Sequence, residues 1–246
     1  MPTAAIVIIG DEILSGKFVE ENAVFLIGEL RSLGVDLRRI TVIPDVLDDI
    51  AVAVTEASGR FDHVFTSGGV GPTHDDITIA AIAHGFHVGV ARHPELEAKI
   101  RAYWKDQLAE ANLRLADLPA GSELVYGKDQ IWPVVSFRNV FILPGVPALF
   151  RRKFVDIRDR FRAVPVWAAR LYVDGEEGDL APELDRVVAA HPSVKIGSYP
   201  RFSEKDFCVL LTLEAATAAE VTAAFEMLRA RLAAAVVRAE LPQSVG

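Results

Sequence analysis

The chain of 246 residues has little of several things that would announce a simple role. Cys208 is its only cysteine, which excludes an intrachain disulfide and a cysteine-built metal centre. Because Cys208 opens the apolar run Cys208-Val209-Leu210-Leu211, it is expected to be a buried core thiol rather than a nucleophile. Basic residues are outnumbered, 26 against 34 acidic ones, for a net charge of −8. The basic runs stop at Arg38-Arg39 and Arg151-Arg152-Lys153, so nucleic acid is not an expected partner. No apolar run is long enough for a membrane span or a signal segment, which argues against a membrane partner and for a cytoplasmic protein. The histidines show no metal-ligand spacing, and neither a Walker A sequence nor a Rossmann fingerprint is present.

What is present is an alternation of strand and helix patterns. Ala4 to Ile9 is continuously apolar, as in a strand buried on both faces. A helix is expected from about Lys17 to Leu33, with Val19, Ala23, Leu26, Ile27, Leu30 and Leu33 inward and Gly34 ending it. Leu37–Ile43 is the next strand, and Asp45 is placed to cap the helix that follows. His63–Thr66 is the third strand. The stretch from Pro94 to Asp117 reads as helical, with Tyr103 and Trp104 covering core. Strands are expected at Glu123–Tyr126 and on either side of an Arg138-Asn139 turn, and a helix from Ala148 to Phe161. The fold class is therefore α/β, a three-layer, mostly parallel sheet with helices on both faces, over residues 1–165. Residues 166–246 read as a small α+β domain that closes on a helix from Ala218 to Val237 and a frayed tail, Pro242 to Gly246.

Three loops at the carboxyl ends of strands carry the chemistry, because ligands of open parallel sheets bind there. The first is Thr66-Ser67-Gly68-Gly69-Val70-Gly71-Pro72-Thr73-His74-Asp75-Asp76. Its glycines let the backbone approach a ligand, and exposed N–H groups ahead of a helix attract phosphate. A tight turn whose glycines serve only packing is the alternative. Two carboxylates follow at once, which suggests a phosphate-bearing small molecule held together with a cation. Thr73 and Asp76 also fit a local capping pair. The second loop is Gly10-Asp11-Glu12-Ile13-Leu14-Ser15-Gly16, whose acids could bind a metal, orient a water or cap a helix. The third is Pro44-Asp45, and Leu143-Pro144-Gly145-Val146-Pro147 forms a further rigid strand end.

These motifs, in this order, resemble the molybdopterin-binding domain superfamily. Within it the chain is similar to the N-terminal region of the competence/damage-inducible protein A family and to the molybdopterin-binding-like domain of eukaryotic FAD synthase. Val134-Val135-Ser136-Phe137-Arg138-Asn139-Val140-Phe141 and Ile196-Gly197-Ser198-Tyr199-Pro200 extend the second resemblance. Nothing in the chain resembles the deamidase domain of the first group or the adenylyltransferase domain of the second, so FAD synthesis is not implied.

The resemblance implies a KH-like fold for the C-terminal domain and a homo-oligomer, dimer or trimer. It also implies a metal-dependent pyrophosphate hydrolase acting on FAD or ADP-ribose, using cobalt, magnesium or manganese and helped by potassium. Asp45, Asp76 and Asp11 would be catalytic, and Asp76, Asp75, Asp11 and Glu12 would hold the metal. Ser67, Gly68, Gly69, Val70, Gly71, Thr73, Gly10, Ser15, Pro144 and Gly145 would bind the ligand. A molybdopterin- or nucleotide-binding module without turnover is the alternative, followed by a molybdopterin adenylyltransferase.

Overall fold

A computed structural model describes residues 1–127, 132–202, 204 and 206–245. The chain divides into two compact units, Met1–Ala163 and Val164–Gly246.

The first unit runs β1 (Thr3–Ile9), α1 (Asp11–Leu14), α2 (Asn22–Ser32), β2 (Asp36–Ile43), α3 (Leu47–Arg60), β3 (His63–Ser67) and α4 (Thr78–Gly85). It continues through β4 (Val90–Arg92), α5 (Pro94–Trp104), α6 (Glu110–Leu113), β5 (Asp117–Pro119), β6 (Glu123–Val125), β7 (Val134–Phe137), β8 (Val140–Leu143) and α7 (Pro147–Ile157). Six strands form one sheet in the order β2-β1-β3-β8-β7-β6. The four from β2 to β8 are parallel, while β7 and β6 pair antiparallel with their neighbours.

β1 shows why this sheet needs two helical layers. Alternate side chains of a strand point to opposite faces. Ala4, Ile6 and Ile8 pack with Leu26 and Leu30 of α2 and with Phe150 and Phe154 of α7. Ala5, Val7 and Ile9 pack with Ile50 and Val54 of α3 and Ile82 of α4. A strand buried on both faces has no room for the alternation of polar residues, hence the unbroken apolar run. The β7–β8 hairpin turns at Arg138-Asn139, with Arg138 at φ 54°. The Asn139 side chain donates to the carbonyls of Ser58 and Phe61, pinning the turn to the end of α3.

Several local expectations are corrected. The helix expected from Lys17 begins at Asn22, because the Glu20 carboxylate accepts from the N–H groups of Asn22 and Ala23 at 2.8 and 3.0 Å and so starts it there. Val19 and Ile27, expected inward, are exposed. The segment 94–117 is broken: α5 gives way to short helical turns, and β5 pairs antiparallel with β4 as a separate two-stranded sheet. Tyr103 is 66% exposed rather than covering core. The helix expected to reach Phe161 ends as α7 at Ile157 and passes into a 3₁₀ turn.

The second unit consists of β9 (Val166–Val173), α8 (Glu177–Ala190), β10 (Lys195–Pro200), β11 (Val209–Ala215), α9 (Ala218–Arg231) and β12 (Val236–Val245). Its antiparallel sheet has the order β10-β11-β9-β12. One face packs on Leu180 and Val187 of α8 and on Val221, Phe225 and Leu228 of α9. β12 corrects two expectations. The last helix stops at Arg231, and in the tail expected to fray Gln243, Ser244 and Val245 pair along β9 as part of an edge strand. Cys208 is exposed, against the expectation of a core thiol. It stands just before β11, and since Val209 and Leu211 point inward, strand alternation turns Cys208 outward, where its Sγ lies 3.1 Å from Asp174 Oδ1.

Candidate functional site

All of the candidate residues lie in the first unit, at the carboxyl ends of β1, β2, β3 and β8. The glycine loop after β3 is shaped by backbone needs. Gly68 and Gly69 have φ of 108° and 63°, in the region that side chains disfavour. A Cβ on Gly68 would overlap the Ile9 carbonyl, and one on Gly69 would overlap the Thr78 hydroxyl. The Thr78 Oγ donates to the Gly68 carbonyl at 2.9 Å, and its N–H donates to the Gly69 carbonyl at 3.0 Å, so the first turn of α4 fastens the loop.

A second fastening was not foreseen from the sequence. Asn22, 4% exposed at the start of α2, donates from Nδ2 to Ser67 Oγ and to the Gly145 carbonyl, both at 2.8 Å. One buried amide thus joins α2, the end of β3 and the loop after β8. Gly145 allows the close approach: its Cβ position lies 3.2 Å from Gly68 Cα. Asn22 Oδ1 has no partner among the described residues, an uncommon state for a buried oxygen, and is an acceptor beside the loop. A polar residue in the otherwise inward-facing series Ala23, Leu26, Leu30 was the one available signal.

A cavity of about 740 Å³ opens over this arrangement. Ser67, Gly68, Gly69, Val70, Gly71, Asp76, Glu12, Pro144 and Gly145, all foreseen as ligand or metal residues, line it together with Asn22. Thr73 lines a neighbouring cavity instead, one that also shares Val70, Gly71, Asp76 and Pro144. Gly10, Asp11, Ser15, Asp45 and Asp75 line neither. The Ser15 hydroxyl turns back to the Glu12 carbonyl at 3.3 Å.

Asp45 does not cap a helix, because the N-terminal position of α3 belongs to Val46. Its Oδ2 instead accepts from the Asp11 N–H at 3.0 Å, which ties the end of β2 to the end of β1. Burial pushes the Asp45 carboxyl above the ordinary aspartate range. The charges of Glu12, Asp11 and Asp75 push it the same way, against the Asp11 hydrogen bond. Asp75 is held low by its hydrogen bond with the Thr73 side chain and remains ionised. Asp76 Oδ2 accepts from the Thr73 N–H at 2.9 Å and from the Thr73 hydroxyl. The pairing expected of Thr73 and Asp76 is present, but it closes a loop turn two residues before α4 rather than capping the helix. His74, in the same loop, is exposed.

Among the described residues no three His, Cys, Asp or Glu side chains converge as a ready-made metal cage. The carboxylates near the loop are nonetheless hard oxygen donors, and Asp45 feels three neighbouring carboxylates whose repulsion a cation would relieve. That chemistry fits a divalent ion completed by water and phosphate oxygens.

Residues 5–162 match the family described as "Probable molybdopterin binding domain". The chain belongs to this molybdopterin-binding domain family. Residues 165–240, nearly the whole of the second unit, match the "FAD synthase, middle domain" family. A "Probable FAD synthase" of Caenorhabditis elegans is 37% identical over 263 residues, covering 96% of this chain and 51% of the relative. A protein of Archaeoglobus fulgidus is 34% identical over 196 residues, covering 80% of this chain and 85% of its own length. The chain spans about half the length of the nematode FAD synthases it matches. The crystal structure of a CinA protein of unknown function from Thermoplasma acidophilum superposes with a TM-score of 0.59 at 29% identity, covering 65% of this chain and 98% of that one. The molybdopterin-binding fold of the first unit and the likeness to CinA and FAD synthase are therefore established. No helix among the described residues is long and apolar enough to cross a membrane.

Proposed function

We propose that this member of the molybdopterin-binding domain family is a metal-dependent pyrophosphate hydrolase of dinucleotide or nucleoside diphosphate compounds, with FAD and ADP-ribose as candidate substrates. The observation that carries the reading is the juxtaposition of the fastened glycine loop with Glu12 and Asp76 in one cavity, beside an Asp45 whose carboxyl is raised. Backbone N–H groups of the loop hold the pyrophosphate. Asp76, oriented by Thr73, and Glu12 face the phosphates, with Asp11 and Asp75 beside them, and these carboxylates would hold the divalent ion. The ion, when bound, polarises a phosphoryl oxygen and makes the attacking water more acidic.

Asp45, whose carboxyl burial raises above the ordinary aspartate range, takes a proton from that water, whose oxygen bonds to one phosphorus. The bond from that phosphorus to the bridging oxygen breaks, and its electron pair leaves with the second phosphate. FAD and water give AMP and FMN; ADP-ribose and water give AMP and ribose 5-phosphate. Magnesium, manganese and cobalt all suit a carboxylate donor set.

The family description favours one second reading, a molybdopterin-binding module without turnover. Chromatography of FAD and ADP-ribose incubated with the protein, with divalent cation plus potassium or with chelator, separates the two. The hydrolase releases AMP only with metal, and Asp76→Ala abolishes release while circular dichroism stays unchanged. Persistent AMP release by Asp76→Ala would refute the role of Asp76. Absence of product from the folded wild type, with molybdopterin bound, would establish the second reading.

A further inference from the structure

The glycine loop separates two compartments of opposite charge. The cavity over Ser67 is acidic: Glu12, Glu20, Glu21 and Asp76 line it, and no basic side chain does so among the described residues. Its neighbour has a volume of about 640 Å³ and shares Gly71, Asp76, Leu115 and Pro144 with it. Part of the neighbour's wall is an edge-to-face ring cluster, in which Tyr103 stands 4.7 Å from Trp104 and 5.4 Å from Trp132. Its charged lining is mainly basic, with Arg114, Arg152 and Lys153 set against Asp76 and Asp117.

These charges are not equivalent. Asp117 is already held by Arg92, which donates from Nε and Nη2 at 2.8 and 3.1 Å. Lys153 Nζ donates to the carbonyls of Trp132 and Pro133 at 2.8 and 2.6 Å. Arg114 pairs with no carboxylate among the described residues. Its side chain there makes one hydrogen bond, to the Pro72 carbonyl of the glycine loop, and that bond is long at 3.4 Å. Its backbone is nevertheless fixed. Arg114 opens the 3₁₀ turn after α6, where its neighbours Leu113 and Ala116 are buried in a cluster with Leu96, Ile100 and Leu118. Leu115, the next residue, lines both cavities, so the turn stands at their divide.

Cleavage of a pyrophosphate creates charge. When the bond from the attacked phosphorus to the bridging oxygen breaks, that oxygen keeps the electron pair and the departing phosphate gains a negative charge. Glu12 and Asp76, with the ion they would hold, attend to the phosphate under attack and leave the departing one without a cation. Catalysis gains most from a positive group fixed where new charge appears. A guanidinium offers two parallel N–H donors to phosphate oxygens, and one bound only to a neutral carbonyl at 3.4 Å gives up little to take them.

We infer that Arg114 is a catalytic residue of the proposed hydrolysis, its guanidinium binding the departing phosphate on the basic side of the glycine loop and offsetting the charge that develops there. The inference rests on the proposed function.

The test compares wild type, Arg114→Lys and Arg114→Gln, with folding checked by circular dichroism. Arg114 is exposed, so the substitutions leave the fold intact. With divalent cation and FAD or ADP-ribose, Arg114→Gln should lower kcat about 10²-fold and move KM little, as when one donor is removed from a site of developing charge. Arg114→Lys keeps the charge without the planar fork and should fall between the two. A second readout needs no turnover: calorimetric titration with AMP and with FMN in the presence of chelator. The monophosphate that departs should bind about tenfold more weakly to Arg114→Gln, the scale of one charge-assisted hydrogen bond, whereas adenosine and riboflavin should not discriminate. A wild-type kcat in Arg114→Gln, a loss confined to KM, a Lys variant no better than Gln, or unchanged affinity for both monophosphates would each overturn the role of Arg114. Should Arg114→Gln be indifferent while wild type cleaves its substrates, the hydrolase reading stands and this inference falls. Should wild type cleave neither substrate yet bind a monophosphate through Arg114, the phosphate site stands and the hydrolase reading falls, taking the catalytic role with it.

Discussion

Asp45→Asn should abolish the proposed hydrolysis and stabilise the fold. Asp45 is half-buried, and burial together with the charges of Glu12, Asp11 and Asp75 disfavours its ionised form. The amide keeps the shape, and its oxygen can still accept the Asp11 N–H that Asp45 holds at 3.0 Å. What disappears is a charge held against its preference. The site is open to water, so the repulsion is screened, and the gain should be about 0.5–1 kcal/mol, the size measured for partly exposed charge pairs. For a unit of this size that corresponds to a rise in Tm of about 1–4 °C.

The sign with pH follows from linkage. A carboxyl whose folded pKa is raised weakens the fold wherever it is ionised, and this penalty fades as pH falls through the folded value. It is gone below 3.8, where folded and unfolded wild type both carry the proton. The advantage of Asp45→Asn over wild type should therefore be full at pH 7, shrink on acidification and shrink in high salt. Turnover should fall about 10²–10⁴-fold, the range for losing a positioned base. Urea melts at pH 7 and pH 4.5 beside a metal-supported hydrolysis assay make the comparison. A variant less stable than wild type at pH 7, or one that still turns over at the wild-type rate, would refute the account of Asp45.

Asn22→Ala removes two hydrogen bonds of 2.8 Å, one buried and one part-buried, and leaves the Gly145 carbonyl and Ser67 hydroxyl short of a partner. Denaturant melts should show a loss of about 1–3 kcal/mol. Ligand affinity should weaken at the same time, because the glycine loop loses its tie to α2. His63 packs against the Phe161 ring at 5.1 Å, and burial pushes its imidazole below the ordinary 6.5, against the pull of Asp62. The unfolded chain takes up that proton first, so stability should decline as pH drops below 6.5. His63→Phe should flatten that part of the pH–stability profile in thermal melts.

Much of the first unit is legible in the sequence because its signals are local. An unbroken apolar run such as Ala4 to Ile9 has one economical use, a strand covered on both faces. Gly68 and Gly69 announce a backbone that side chains would block, and the rhythm of strand and helix leads from there to a parallel sheet with ligand loops on one rim. The Arg138-Asn139 hairpin was equally readable.

Other features were settled only when distant segments met. Asp45 has the right residue type for a helix cap, yet the parallel pairing of β1 and β2 puts the Asp11 N–H beside it, and that donor claims the carboxylate. Asn22 looks like one polar residue in an amphipathic series until the fold sets Ser67, at the end of β3, and Gly145, in the loop after β8, within reach of its amide. Cys208 sits in an apolar run, but strand register turns it outward, and the polar tail becomes strand because β9 would otherwise present an open edge. Tyr103, Trp104 and Trp132 come from segments nearly thirty residues apart, and no spacing rule joins them. The sequence by itself determined which backbone conformations each loop permits and which faces must be buried. Tertiary structure alone decided which polar groups become partners and which rings share a cavity, because hydrogen bonds and ring contacts depend on distances of a few ångströms that only packing sets.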